Sequence, residues 1–113
     1  MTLNKNMEIS KIEEKMKGGG ISPSEISDLI LESCAEYGWN ASQLEEIIKV
    51  KPVEWMKFRM QVTSDKQADR NWEQTELGIN EGVYRLRLKR IEKIISALKT
   101  KLSVIQGDSK NLW

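Results

Sequence analysis

The last third of the chain, Leu77 to Ile105, constrains the fold most. It reads as a basic helix whose apolar residues occupy more than half of its circumference. Leu77, Tyr84, Leu88, Ile91, Ile95, Leu98, Leu102 and Ile105 follow steps of seven, or of alternating three and four, the spacing of one helical seam. Trp72, Ile79, Val83, Leu86, Ile94, Ala97 and Val104 form a second set beside it, so at about 100° per residue the apolar arc spans roughly 200°. A surface helix needs only about half that arc. The pattern therefore predicts a helix covered from two sides, by the rest of the chain and by another copy. The seam assigned to the other copy is Leu88, Ile91, Ile95, Leu98 and Leu102. Apolar surface left in water costs about 25 cal/mol per Å², so a dimer or higher oligomer is expected.

The rest of the chain is punctuated by start and stop signals. Leu3, Met7, Ile12 and Met16 outline a short amphipathic N-terminal helix, and Gly18-Gly19-Gly20 ends it as a flexible hinge. Residues 1–20 are read as a loosely attached arm. Ser22, Pro23 and Glu25 make an N-cap, a first helical residue and a capping-box partner, with Ile21 and Ile26 spaced as a hydrophobic staple. That helix runs to Tyr37, where Gly38 supplies a C-terminal stop. Asn40 then caps a second helix, with Gln43 at its third position and Trp39 stapled to Leu44. It ends near Lys51, because Pro52 disfavours helical geometry in the residue before it. Pro52 opens a third, with Trp55, Met56, Phe58 and Met60, and Thr63 or Ser64 caps the long helix that Asp65 begins.

The boundaries expected are 23–37, 41–50, 52–62 and 65–106, followed by a tail, 107–113. No strand-like alternation occurs, so the fold class is all-α. It is a bundle of three short helices (21–62) on one long, oligomerising helix (63–106), in one domain over 21–113. Gly78 and Gly82 interrupt the long helix four residues apart, each at a cost of up to about 1 kcal/mol. A kink or a close helix crossing is expected there, with a continuous, closely packed helix favoured.

Chemistry is narrowed by exclusion. The chain has 113 residues, one cysteine and no histidine, and it lacks a phosphate loop, a Gly-x-Ser-x-Gly elbow and a Cys-x-x-Cys pair. No enzyme, no cofactor and no small-molecule substrate is expected. Cys34 falls with Ile26, Leu29, Ile30 and Tyr37 on the apolar side of its helix and reads as a buried, inert thiol. Asp65, Asp69 and Glu73 step by four and could face a magnesium ion. The helix dipole already explains carboxylates in a first turn, so no metal is expected. No run approaches the ~20 apolar residues of a membrane span, and the first residues have no apolar signal core. A cytoplasmic protein without membrane contact is expected.

Two features point to nucleic acid. Residues 1–50 carry 5 basic and 9 acidic side chains, whereas 51–113 carry 13 and 8. Arg85, Lys89, Lys93 and Lys99 share a side of the long helix with Ser96, Thr100 and Ser103, donors suited to phosphates. A merely solvated face would look the same. Arg87, Arg90 and Lys101 fall in or beside the apolar arc and must snorkel, pair or face a partner. Secondly, Ser42 to Arg59 faintly resembles a helix-turn-helix, with Pro52–Arg59 as recognition helix and Lys51, Lys57 and Arg59 available to DNA. Glutamates and Lys49 stand where that motif has a small residue and a turn glycine, and Trp55 and Phe58 read better as core.

Ala68-Asp69-Arg70-Asn71-Trp72-Glu73, then Ile94 to Val104, and the ending Lys110-Asn111-Leu112-Trp113 resemble small, uncharacterised all-helical accessory proteins of bacteriophages and prophages. The resemblance covers roughly residues 60–113 and carries no catalytic residues. It implies an accessory role in a bacterial host cell, near DNA replication or recombination, or in host takeover. Two readings follow: a self-associating DNA-binding protein, or an inhibitor or adaptor that docks a host or phage enzyme.

Overall fold

The computed structural model describes the backbone of residues 6–18 and 20–110, and the side chains of 9–18 and 20–107. Leu3, the side chain of Met7, Gly19 and Trp113, all invoked above, lie outside the described residues. Among those described, the fold is all-α: α1 (Asn6–Lys17), α2 (Pro23–Arg59), α3 (Asp65–Glu73) and α4 (Glu76–Lys110).

Local chemistry places two of the helix starts where the sequence put them. At α2, the Glu25 backbone N–H donates to Ser22 Oγ at 3.2 Å, and Ser22 Oγ donates to the Glu25 carboxylate at 3.3 Å. At α3, Ser64 is the N-cap, in extended geometry, and accepts from the Gln67 N–H at 3.2 Å.

The stops differ. The three short helices expected over 23–62 are one helix of 37 residues. Gly38 sits inside it, and the one positive φ among the described residues belongs to Gly20. Pro52 also lies within α2. It removes one backbone bond, to the carbonyl of Ile48, on a stretch where both residues are solvent-exposed, which lowers the cost of the lost bond. Asn40 is a buried mid-helix residue and not a cap. A glycine costs about 1 kcal/mol in a helix and a proline about 3. Side chains packed on either side of each breaker, buried Leu29 and Leu44 around Gly38 and buried Ile47 and partly buried Phe58 around Pro52, outweigh those costs.

The long C-terminal helix breaks instead, between Glu73 and Glu76. Thr75 makes the joint: its hydroxyl donates to the Trp72 carbonyl at 2.6 Å and accepts from the Gly78 N–H at 3.0 Å, capping α4. Gly78 approaches α3 so closely that a Cβ there would lie 1.9 Å from the Trp72 carbonyl oxygen. The close crossing expected at the glycines is thus real at Gly78. At Gly82 an added Cβ would meet nothing within 4 Å. α4 continues unbroken through both.

The chain divides into two compact units. The first combines Met1–Gly38 with Lys89–Trp113, and its core is aliphatic: Ile9 and Ile12 of α1, Ile26 and Leu29 of α2, and Ile91, Ile94 and Leu98 of α4. α1 is therefore packed, correcting the loose arm expected there. Arg90 secures it, donating to both carboxylate oxygens of Glu13 and, at 3.3 Å, to Ser10 Oγ. The second unit is Trp39–Leu88. Its core joins Leu44 and Ile47 of α2, Trp72 of α3 and Tyr84 of α4, flanked by Trp39, Trp55, Phe58 and Leu88.

Candidate functional site

α4 carries the basic face, and neighbouring carboxylates decide which of its cations are available. Arg85 is half exposed but donates to Glu81 at 2.9 Å. Lys89, Lys93 and Lys99 are exposed, and none forms an ion pair with a described residue. Ser96, Thr100 and Ser103 are exposed on the same helix. Of the cations nominated on α2, Lys57 pairs with Glu54 at 3.1 Å. Arg59 bonds Asp65 at 2.7 Å and the Val62 carbonyl at 3.0 Å. Three of the six nominated side chains therefore remain open to an outside anion, while Arg85, Lys57 and Arg59 are held inside the chain. Arg90 is spent on Glu13, and buried Arg87 stands 5.7 Å over the Tyr84 ring.

The oligomer seam read from the sequence is occupied by the chain itself. Leu98 and Ile91 are 0% and 1% exposed within the first unit's core, and Ile95 and Leu102 pack against it. Leu88 packs in the second core. The face left outside belongs to the other half of the apolar arc: Ile79, Leu86 and Val104 are each more than half exposed. The division into two sets holds only in part: Trp72, placed in the second set, lies on α3, and it and Ile94 are core, while Leu77 of the first set is exposed.

The Ser42–Arg59 segment read as a helix-turn-helix lies wholly within α2, which is unbroken at Val50–Pro52, so it has no turn and Pro52–Arg59 is not a separate recognition helix; α2 and α3 are joined by residues 60–64. The three carboxylates of α3, Asp65, Asp69 and Glu73, are exposed, and two of them are engaged by α2. Asp65 takes Arg59 Nε, and Asp69 accepts the Trp55 indole N–H at 2.7 Å. Glu73 lines a separate groove with Lys51 and Glu81. The opposite side of α3 presents Gln67, Arg70, Asn71 and Gln74, beside a shallow depression of about 450 Å³ shared with Gln61 and Thr63. Gln67 Oε1 is engaged by the Thr63 N–H and hydroxyl, both at 3.1 Å, which leaves its amide N–H groups outward. No group of three metal-ligating side chains is present among the described residues, and Asp65 and Asp69 have the partners just named.

The densest electrostatic arrangement was not foreseen. Glu81, 7% exposed, accepts from Trp72 Nε1 at 2.8 Å, from Arg85, and from Lys51 Nζ at 3.1 Å on each oxygen. Burial alone would raise this carboxyl, but the donors outweigh it and hold its pKa below the ordinary carboxylate value. The signal was present: Leu77, Glu81, Tyr84 and Leu88 step by four, three and four, so the acid sits on the core seam. In the same core the Tyr84 hydroxyl is buried with no hydrogen-bond partner among the described residues.

Cys34 corrects another expectation, since its thiol is exposed. It opens on a cavity of about 300 Å³ lined also by Tyr37, Glu92, Ile95, Ser96 and Lys99. The Tyr37 hydroxyl donates to Glu92 at 3.1 Å, and that bond raises the phenol's pKa. No described helix is long and apolar enough to cross a membrane. No protein-family model, curated protein or solved structure matches the chain.

Proposed function

We propose that this chain is a non-enzymatic, phage-type accessory protein that binds DNA through α4 in the cytosol of a bacterial host. One observation carries the reading: Lys89, Lys93 and Lys99 are exposed, lack an acidic partner among the described residues, and alternate with exposed hydroxyls. Ammonium groups already neutralised within the fold release no counterions; these three can. Binding to short duplexes should weaken linearly in log affinity against log salt. Changing Lys89 and Lys93 together to glutamine should reduce the slope by about 0.9 for each lost phosphate contact, equally across sequences. Absence of binding to single- or double-stranded DNA at about 50 mM salt overturns the reading.

A second reading, an inhibitor or adaptor that docks a host or phage enzyme, has its own support. Val53 and Met56 on α2, and Met60 just past its end, are 63%, 50% and 81% exposed. Methionines on an outward helix face suit a repacking protein contact. Retention of one defined protein on the immobilised chain after nuclease treatment, lost with Met56→Asp, supports this reading.

A further inference from the structure

We infer that the outward side of α4 in the second unit binds a second copy of this chain, the two α4 helices crossing antiparallel at Gly82. Ile79 and Leu86 are seven residues apart, about two turns, so they stand on one side of the helix. They are 54% and 69% exposed, with exposed Gly82 between them, and they line an open groove of about 590 Å³. Glycine weakens the interior of a helix. Gly78 is required within the chain, because the Trp72 carbonyl leaves no room for a Cβ. Gly82 is not, since a Cβ there would meet nothing within 4 Å. Bare backbone between two exposed apolar side chains suits the close approach of another helix, and that helix has to come from outside the chain.

This face is matched to itself, which argues for a second copy over a foreign helix. In a twofold interface residue i meets j and j meets i, so one surface must carry both halves of each contact. About a twofold axis at Gly82 the two glycines adjoin. Ile79, three residues before it, falls opposite Leu86 of the second copy, four residues after it, to within the rise of one residue. The charges are divided in the same way. Exposed Glu73 and Glu76 lie at the end before Gly82, and Arg85, half exposed and bonded to Glu81 through one nitrogen, lies at the end after it. An antiparallel crossing brings the acids of each copy towards the arginine of the other, whereas a parallel crossing sets like on like. The seam that periodicity assigned to another copy, Leu88 to Leu102, is filled by the chain's own cores, so the outward side is the one left for it. A contact of about three turns is small for a protein interface, and the dimer is therefore weak and reversible.

The test is sedimentation equilibrium of the full chain, without DNA, from about 10 μM to about 1 mM. The wild-type mass should rise towards that of a dimer across this range. Leu86→Asp should remain monomeric throughout; the side chain is at the surface, and a circular dichroism spectrum like wild type verifies folding. Gly82→Ala adds one methyl that its own chain does not touch, so it should melt no lower than wild type. The same methyl separates the crossing backbones and should raise the dissociation constant by about 5- to 150-fold. A wild-type chain still monomeric at about 1 mM overturns the inference, as does a Leu86→Asp or Gly82→Ala variant that dimerises as tightly as wild type. A monomer that instead captures a foreign protein, and loses it with Leu86→Asp, gives the face to another partner and also overturns it.

Discussion

The two units of this molecule solve the same problem with different chemistry. The first builds its core from isoleucines and leucines of α1, α2 and α4, buries Glu36 of α2 outside that cluster, and keeps the ion pair of Glu13 with Arg90 at the edge, where both side chains are about a third exposed. The second buries an indole and a phenol, and places a carboxylate beneath them with its donors. Aliphatic packing is indifferent to direction, whereas a buried carboxylate is costly unless each lone pair finds a donor. The first core is thus tolerant in geometry and sensitive to volume. The second is sensitive to the loss of single atoms.

The largest effect should come from volume. Leu98→Ala in the first unit should cost about 2–5 kcal/mol in denaturant unfolding, because the side chain is fully buried and leaves a cavity. A cost below about 1 kcal/mol would mean that the first core is loosely packed and the contrast false.

The next concerns the carboxylate. Glu81→Gln should cost about 2–3 kcal/mol, since it removes charge-assisted bonds from Lys51, Arg85 and Trp72 while nearly keeping volume. The folded pKa of Glu81 lies below the ordinary value near 4.3, so its contribution is present above that pH and disappears as pH falls through the folded value. Thermal melts should therefore lose stability below about pH 4.3, and Glu81→Gln should flatten that decline. Glu13 is shifted the same way by the Arg90 hydrogen bond, but it is more exposed, so Glu13→Gln should flatten it less. An equal effect from the two variants would erase the distinction between the units.

The glycines sharpen the comparison inside one helix. Gly78→Ala drives a Cβ into the Trp72 carbonyl, an oxygen fixed by backbone, and should cost about 1–3 kcal/mol. Gly82→Ala meets open space and should stabilise by up to about 1 kcal/mol through helix propensity. Melting temperatures that move in opposite directions are the expected result.

The smallest effect tests the polar economy of the second core. Tyr84→Phe removes a buried hydroxyl that has no partner among the described residues and should be neutral or stabilising by about 1 kcal/mol. Marked destabilisation would show that the hydroxyl is bonded in solution.

These contrasts mark how far the sequence was legible. Caps at Ser22 and Ser64 were readable because they depend on residues three apart. Breakers were overrated: Gly38 and Pro52 each impose a local cost that buried side chains, distant in sequence, outweigh. The joint at Thr75 was missed, although a hydroxyl three residues before Gly78 was there to be seen. The division of the apolar arc held only in part, because periodicity defines a face and not its occupant. The basic face was only half legible, since Asp65 and Glu81 disarm Arg59 and Arg85 through contacts made by folding.

The second unit is one uninterrupted stretch of chain, whereas the first is assembled from two stretches separated by fifty residues. During synthesis, Ile9, Ile12, Ile26 and Leu29 leave the ribosome well before Ile91, Ile94 and Leu98, the residues that cover them. The second unit can close while those side chains still wait in water. The earlier stretch of the first unit is thus the last to be sheltered, and until then its aliphatic side chains are open to misassociation.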